Sequence, residues 1–160
     1  MNKFMQEALL LAEKAGAEGE IPVGAVIVKD GEIIARGRNR REHGNSILGH
    51  AEIEAIENAC KVLGDWRLQD CEIYVTLEPC PMCAGAIINS RFKKLTYGAF
   101  DPSMGACDSK ANMFSYQFGQ KTEVWAGIDE KPCSEILKTF FKNLRKSGND
   151  SEDADNGNNA

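Results

Sequence analysis

The amino-acid sequence predicts an α/β fold in which a mixed sheet of about five strands is covered by helices on both faces. Three features predict it. Apolar residues repeat at helical spacing in some stretches and alternate strictly in others. A tight-turn signal, Asp30-Gly31, joins two runs suited to an antiparallel pair. A strand that stops at Pro79 runs directly into a helix opened by Pro81, the strand-to-helix step of a layered α/β protein.

The elements follow in order. From about Asn2 to Lys14, residues Phe4, Met5, Ala8, Leu9 and Ala12 share one helical face, with Ala15 continuing it and Gly16 and Gly19 as stop signals. Ile21-Pro22 leads into a strand over 23–29, and 32–36 return across the turn. Residues 37–49 are polar, with Arg36, Arg38, Arg40 and Arg41 clustered around Asn39, a loop composition. From His50 to Leu63, Ile53, Ile56, Cys60 and Leu63 form a core-facing stripe that Gly64-Asp65 ends. Ile73, Val75 and Leu77 alternate with Tyr74 and Thr76 in a strand, followed by a helix over 82–89. Strands over 95–99 and 123–126 flank a loop over 101–110 and a stretch, 111–120, with no clear period. A last helix spans 134–146, with Ile136, Leu137, Phe140 and Leu144 inward and lysines outward.

At 160 residues, with 42% hydrophobic and 27% charged residues, the chain is sized for one domain with one core. That domain is expected over 1–146. The remainder, 147–160, is an acidic tail rich in Ser, Gly, Asn and Asp, too poor in apolar residues to fold. The tail carries four acids and no Lys or Arg, so of the net charge of −5 the body keeps only about −1. This excludes a generic nucleic-acid binder; contact with RNA would need a local basic patch. No apolar run approaches the ~20 residues of a membrane span. Glu7 and Glu13 interrupt any signal-peptide profile, so the six cysteines read as reduced thiols or metal ligands in a cytoplasmic protein.

Cys80 and Cys83, spaced C-x-x-C, can combine with His50 as three ligands of a zinc ion whose fourth position stays open to water. Both ligand segments would start helices, where free N–H groups and the positive dipole end favour thiolate. Glu52 is the nearby group able to move a proton. His50 and Glu52 are only two residues apart, so on a regular helix they point in different directions. They share a site only if it lies off the helix end. Two other readings stay open at this level. C-x-x-C between strand and helix is also a redox dithiol arrangement, and His43, the other histidine, could close a structural zinc site. Glu54 and Glu57 read as solvated helix residues, and Asn39 as a turn residue in an Arg-rich loop.

The combination of His50-Ala51-Glu52-Ile53 with Pro79-Cys80-Pro81-Met82-Cys83 resembles the bacterial tRNA adenosine deaminases of the cytidine deaminase-like superfamily. Ile21-Pro22-Val23-Gly24-Ala25, Gly37-Arg38-Asn39, the stretch 74–87 and Gly98-Ala99-Phe100-Asp101 extend the likeness, which runs to about Arg145. The resemblance implies a three-layer αβα sandwich and one zinc per subunit, held by His50, Cys80 and Cys83. It implies Glu52 as the proton carrier in hydrolytic deamination of adenosine to inosine at the wobble position of a tRNA anticodon. Zinc lowers the pKa of water to about 7, which makes hydroxide available for that attack. Asn39, the Ala51 N–H and Asp101 become the expected substrate contacts. The partner becomes an anticodon stem-loop, bound by a homodimer whose RNA pocket crosses the subunit interface. The alternative on the same fold is deamination of a free base or nucleoside of the guanine or cytosine type.

Two segments depart from the family pattern. Asn45-Ser46-Ile47-Leu48-Gly49 stands where Asp-Pro-Thr-Ala usually precedes the His-Ala-Glu motif, and Asp108-Ser109 stands where Gly-Ser is usual. Both are expected close to the pocket, where a carboxylate would repel phosphate. Arg91, Lys93, Lys94, Lys138, Lys142, Arg145 and Lys146 are the cations expected either to face RNA or to solvate a surface.

Overall fold

The computed structural model describes residues 1–156, with side chains described through residue 148. Asn2 opens helix α1 (Lys3–Ala17) by accepting from the N–H groups of Phe4 and Met5, which satisfies donors that have no partner within the helix. The helix buries Met5, Ala8, Leu9, Ala12 and Ala15, the predicted face. Strands β1 (Gly24–Lys29) and β2 (Glu32–Arg38) pair antiparallel through Asp30 and Gly31. Both turn residues have positive φ, 51° and 78°, as a type I′ turn requires. Then come α2 (Ala51–Leu63), β3 (Cys71–Leu77), α3 (Pro81–Ser90), β4 (Lys94–Ala99), β5 (Glu123–Trp125) and α4 (Glu130–Asn156). In the stretch without a clear period, Met113–Ser115 form one 3₁₀ turn, capped by Asn112.

The strands lie in the order β2-β1-β3-β4-β5, antiparallel across the first three and parallel across the last three. Alternation divides the side chains between two cores. Ala25, Ile27, Ile73, Val75, Leu95 and Tyr97 meet Ala55, Ile56 and Ile87 of α2 and α3. Val26, Val28 and Tyr74 meet Met5, Ala8 and Cys133 of α1 and α4 on the opposite face. This is the expected three-layer sandwich. Because β3 and β4 run parallel, their C-terminal ends open on one crevice, the usual place for a ligand in such sheets.

Helix α2 reaches that crevice by lying against β2. A Cβ on Gly37 would stand 2.2 Å from the Ala51 carbonyl oxygen and 2.5 Å from the Ala55 nitrogen, so only glycine lets the two backbones meet. The buried row of α2 accordingly runs through Ala51, Ala55 and Ala59. Of the predicted stripe, Ile56 is buried and Ile53, Cys60 and Leu63 are half-buried.

Helix α4 starts at Glu130 and continues past the expected end at Lys146 to Asn156. The expected boundary at 146 thus falls inside a helix. Helical hydrogen bonds are local, and they propagate from a packed start without needing a core of their own. Residues 157–160, the end of the expected tail, lie outside the described residues. Leu144, expected to point inward, is 57% exposed, because the packed part of α4 ends at Phe140. Among the described residues, no helix is long and apolar enough to cross a membrane.

Candidate active site

His50 is the N-cap of α2 and Cys80 the N-cap of α3, both in extended backbone conformation, and neither side chain caps its own helix. Both turn to one point instead. His50 Nδ1 lies 3.6 Å from Cys80 Sγ and 3.5 Å from Cys83 Sγ, and all three ligand atoms fall within 4.8 Å of one another. Donors at the corners of a tetrahedron around zinc, with bonds of about 2.0–2.3 Å, stand roughly 3.5 Å apart. Two sulfurs and an imidazole nitrogen at this spacing fit zinc.

Glu52 is 4% exposed and lines the same cavity as His50, Ala51 and Cys80. The site therefore lies off the N-terminal end of α2, where two residues that would diverge along a helix flank can converge. Burial pushes the Glu52 carboxyl up to about 7, and the negative charge at Cys80 adds to the effect. A hydrogen bond from Cys83, helped by His50, holds the Cys80 thiol down to about 4. The same bond and burial push the Cys83 thiol up.

The cavity, about 440 Å³, is in the size range of small-ligand pockets. Ile21, Val23, Asn39 and Arg41 form one wall and the segment 100–104 another, while Leu137 and Phe141 reach in from α4. Asn39 is 7% exposed; its Nδ2 donates to the Ile21 carbonyl and its Oδ1 accepts from the Arg41 N–H, each at 3.2 Å. It braces the loop as a turn residue does, and one amide N–H is left over. Asp101 Oδ1 caps the turn by accepting from Ser103 N–H, Ser103 Oγ and Met104 N–H.

Several expected participants lie elsewhere. His43 holds Glu20 at 2.8 Å and does not line the cavity, so it does not complete a fourth ligand position. Among the described residues, neither Asp108 nor any of 45–49 lines the cavity. Arg91, Lys93 and Lys94 sit at the opposite end of the sheet. Lys94 opens β4 opposite Glu72, whereas the crevice end pairs Ala99 with Leu77. Lys93 there faces Glu72 at 3.7 Å, and Lys94 lies 3.9 Å over the Trp125 ring. Glu54 is not a solvated helix residue either: it accepts the Arg38 N–H at 2.7 Å and pairs with Arg40 at 3.2 Å, stitching α2 to the loop.

Two buried carboxylates, Glu20 and Glu78, were not visible as site residues in the sequence, although each ties down one cavity wall. Glu78 accepts the backbone N–H groups of Asp101, Cys107, Asp108 and Ser109 and the Ser109 hydroxyl. The only local signal is an acid at the end of an apolar strand, immediately before Pro79.

The family described as the cytidine and deoxycytidylate deaminase zinc-binding region matches residues 1–99. The tRNA-specific adenosine deaminase of Bacillus subtilis (strain 168) is 48% identical over 144 residues, 89% of this chain and 89% of the relative. A solved structure from studies of A-to-I editing by tRNA:A34 deaminases superposes with a TM-score of 0.81 at 46% identity, covering 84% of this chain and 98% of that one. A guanine deaminase from Bacillus subtilis superposes with a TM-score of 0.61 at 44% identity, covering 73% and 76%.

Proposed function

Because the chain belongs to the cytidine and deoxycytidylate deaminase zinc-binding family, we propose that it is a zinc-dependent hydrolytic deaminase that converts adenosine to inosine at the wobble position of a tRNA anticodon. The observation that carries the reaction is a buried Glu52 that shares the wall of one base-sized cavity with His50 and Cys80, two members of the His50, Cys80 and Cys83 cluster. The choice of tRNA is supported by 48% identity across nine-tenths of the chain to a tRNA-specific adenosine deaminase.

His50, Cys80 and Cys83 would hold the zinc, whose chemistry is to make water a nucleophile near neutral pH. Glu52 takes a proton from the attacking water and delivers it to the ring nitrogen beside C6. It then passes a second proton to the amino group, so the C6–N bond breaks with ammonia as leaving group and inosine as product. The spare amide N–H of Asn39 and the N–H of Ala51, at the open end of α2, hydrogen-bond the base, while Asp101 shapes the opposite wall. The catalytic unit spans 1–146, with the acidic segment 147–160 outside it. Two copies form the working dimer on the anticodon stem-loop, and a tRNA substrate supports a cytoplasmic location.

A second reading, a deaminase of free guanine or a related base or nucleoside, is favoured by the likeness to the solved guanine deaminase. One assay separates them: ammonia release from an anticodon stem-loop against a panel of free bases and nucleosides. Reaction with the small molecules alone would defeat the tRNA reading. In the same assay Glu52→Ala is expected to keep its zinc, read by elemental analysis, and to lose at least about 100-fold in rate. A fully active variant would defeat the mechanism.

A further inference from the structure

Four arginines lie between positions 36 and 41, and their side chains are not equivalent. Arg36 faces Glu7 at 3.9 Å, Arg38 faces Glu18 at 3.0 Å, and Arg40 faces Glu54 at 3.2 Å and Glu57 at 3.8 Å. Among the described residues Arg41 has no carboxylate partner, and of the four it alone lines the active-site cavity. Its side chain is exposed while its backbone is held on both sides. The Arg41 N–H donates to Asn39 Oδ1 at 3.2 Å, and its carbonyl accepts from the Ser46 N–H at 3.1 Å. The next two N–H groups, of Glu42 and His43, are taken by the buried Glu20. The loop thus fixes the base of an uncommitted guanidinium at the cavity, in the same lining as His50.

The remaining charged groups of the cavity wall are acidic. Glu52 is buried, Glu78 is saturated with donors, and Asp101 commits an oxygen to its own turn. Apart from the His50, Cys80 and Cys83 ligand set, Arg41 is the one cationic side chain that an anion entering the described cavity meets. A neutral purine gains little from a guanidinium there, whereas a phosphodiester offers two oxygens that match the guanidinium fork. We propose that Arg41 binds a phosphodiester adjoining the reacting nucleoside and thereby makes a polynucleotide, not a free base, the preferred substrate. The inference rests on the RNA reading above.

The test uses the zinc-loaded full chain and an RNA hairpin with adenosine in its loop. The hairpin is either intact or carries an uncharged methylphosphonate on one side or the other of that adenosine. Arg41→Gln is expected to lower kcat/KM on the intact hairpin by about tenfold or more, the scale of one hydrogen-bonded charge contact. It should also reduce the slope of log Kd against log salt, read by fluorescence anisotropy, by about 0.7–1. One of the two methylphosphonates should cost the wild type a similar factor and cost the variant nothing further; Arg41→Lys should recover part of the loss. An unchanged salt slope, or the same methylphosphonate penalty in variant and wild type, overturns the proposal, because a purely structural role for Arg41 predicts both. A wild type active on the hairpin with no Arg41 effect defeats this inference alone. A wild type that acts on free bases but on no hairpin defeats the RNA reading and this inference together.

Discussion

Two buried carboxylates tie down the two walls of the cavity, and they do so differently. Glu20, 1% exposed, accepts the N–H groups of Glu42 at 3.2 Å and His43 at 2.7 Å and meets His43 Nδ1 at 2.8 Å. Glu78, 2% exposed, accepts four backbone N–H groups and a hydroxyl. Burial alone would push both carboxyls up. The donors around each outweigh it and hold both below the usual carboxylate range. What differs is the chain behind each tie. Glu78 stands two residues before Cys80, so one short turn carries both a metal ligand and the anchor of a cavity wall. Glu20 is remote in sequence from every ligand, and the loop residues it holds are exposed. One wall is therefore built into the metal centre, and the other, which carries Asn39 and Arg41, is fastened to the body separately.

This contrast can be broken by removing each tie. The larger effect is expected from Glu78→Gln, which keeps the shape but turns an amide N–H toward groups that are themselves donors. Either amide orientation leaves at least one backbone N–H facing a donor, at a cost of about 2–4 kcal/mol in urea denaturation. Because Cys80 follows so closely, zinc content per chain should fall with it. A variant with full zinc and wild-type stability would show that the two functions of the turn are separable. Glu20→Ala should cost less, about 1–2 kcal/mol, because the freed N–H groups of Glu42 and His43 lie on an exposed loop and can turn to water. Its zinc content should stay at the wild-type level while kcat/KM on an RNA hairpin falls. Loss of zinc from this variant would mean that the two walls are not independent.

The parts of the site that were legible in the sequence are those confined to short motifs. His50, Glu52, Cys80 and Cys83 fall in two segments whose helix starts and ligand spacing can be read directly. Even the condition that the site lie off the end of α2 follows from the spacing of His50 and Glu52. Glu20 and Glu78 were illegible for the opposite reason. A single acid has no period, and their donors lie 22 to 31 residues away along the chain. The arginine cluster was visible, but only the positions of Glu7, Glu18, Glu54 and Glu57 reveal that Arg41 is the one left over. The distance of Arg91, Lys93 and Lys94 from the cavity was illegible, because a charge count cannot say at which end of a sheet a residue lies. The length of α4 was underestimated because composition reports what can be buried and says little about a helix that continues without burial.

The smallest expected effect concerns pH, and it sharpens the account of the Glu20 tie. Glu20 also meets the His43 side chain, so the comparison is best made in a His43→Gln background, which leaves the backbone N–H groups of Glu42 and His43 as its donors, with Glu20 intact or changed to Gln. In the folded protein the hydrogen bonds hold the Glu20 carboxyl below its ordinary value of 4.5. Above 4.5 both folded and unfolded states are ionised, and the carboxylate contributes its full share of stability. As the pH falls below 4.5 the unfolded chain binds the proton first. That share is then lost progressively until the folded-state value is passed. The difference in unfolding free energy between the two proteins should therefore shrink on acidification and stay level from pH 5 to 8. A difference that grew as the pH fell would mean that burial, not the N–H groups of Glu42 and His43, dominates at Glu20. The wall carrying Asn39 and Arg41 would then rest on a carboxyl that takes up a proton more readily in the folded chain than in the unfolded one.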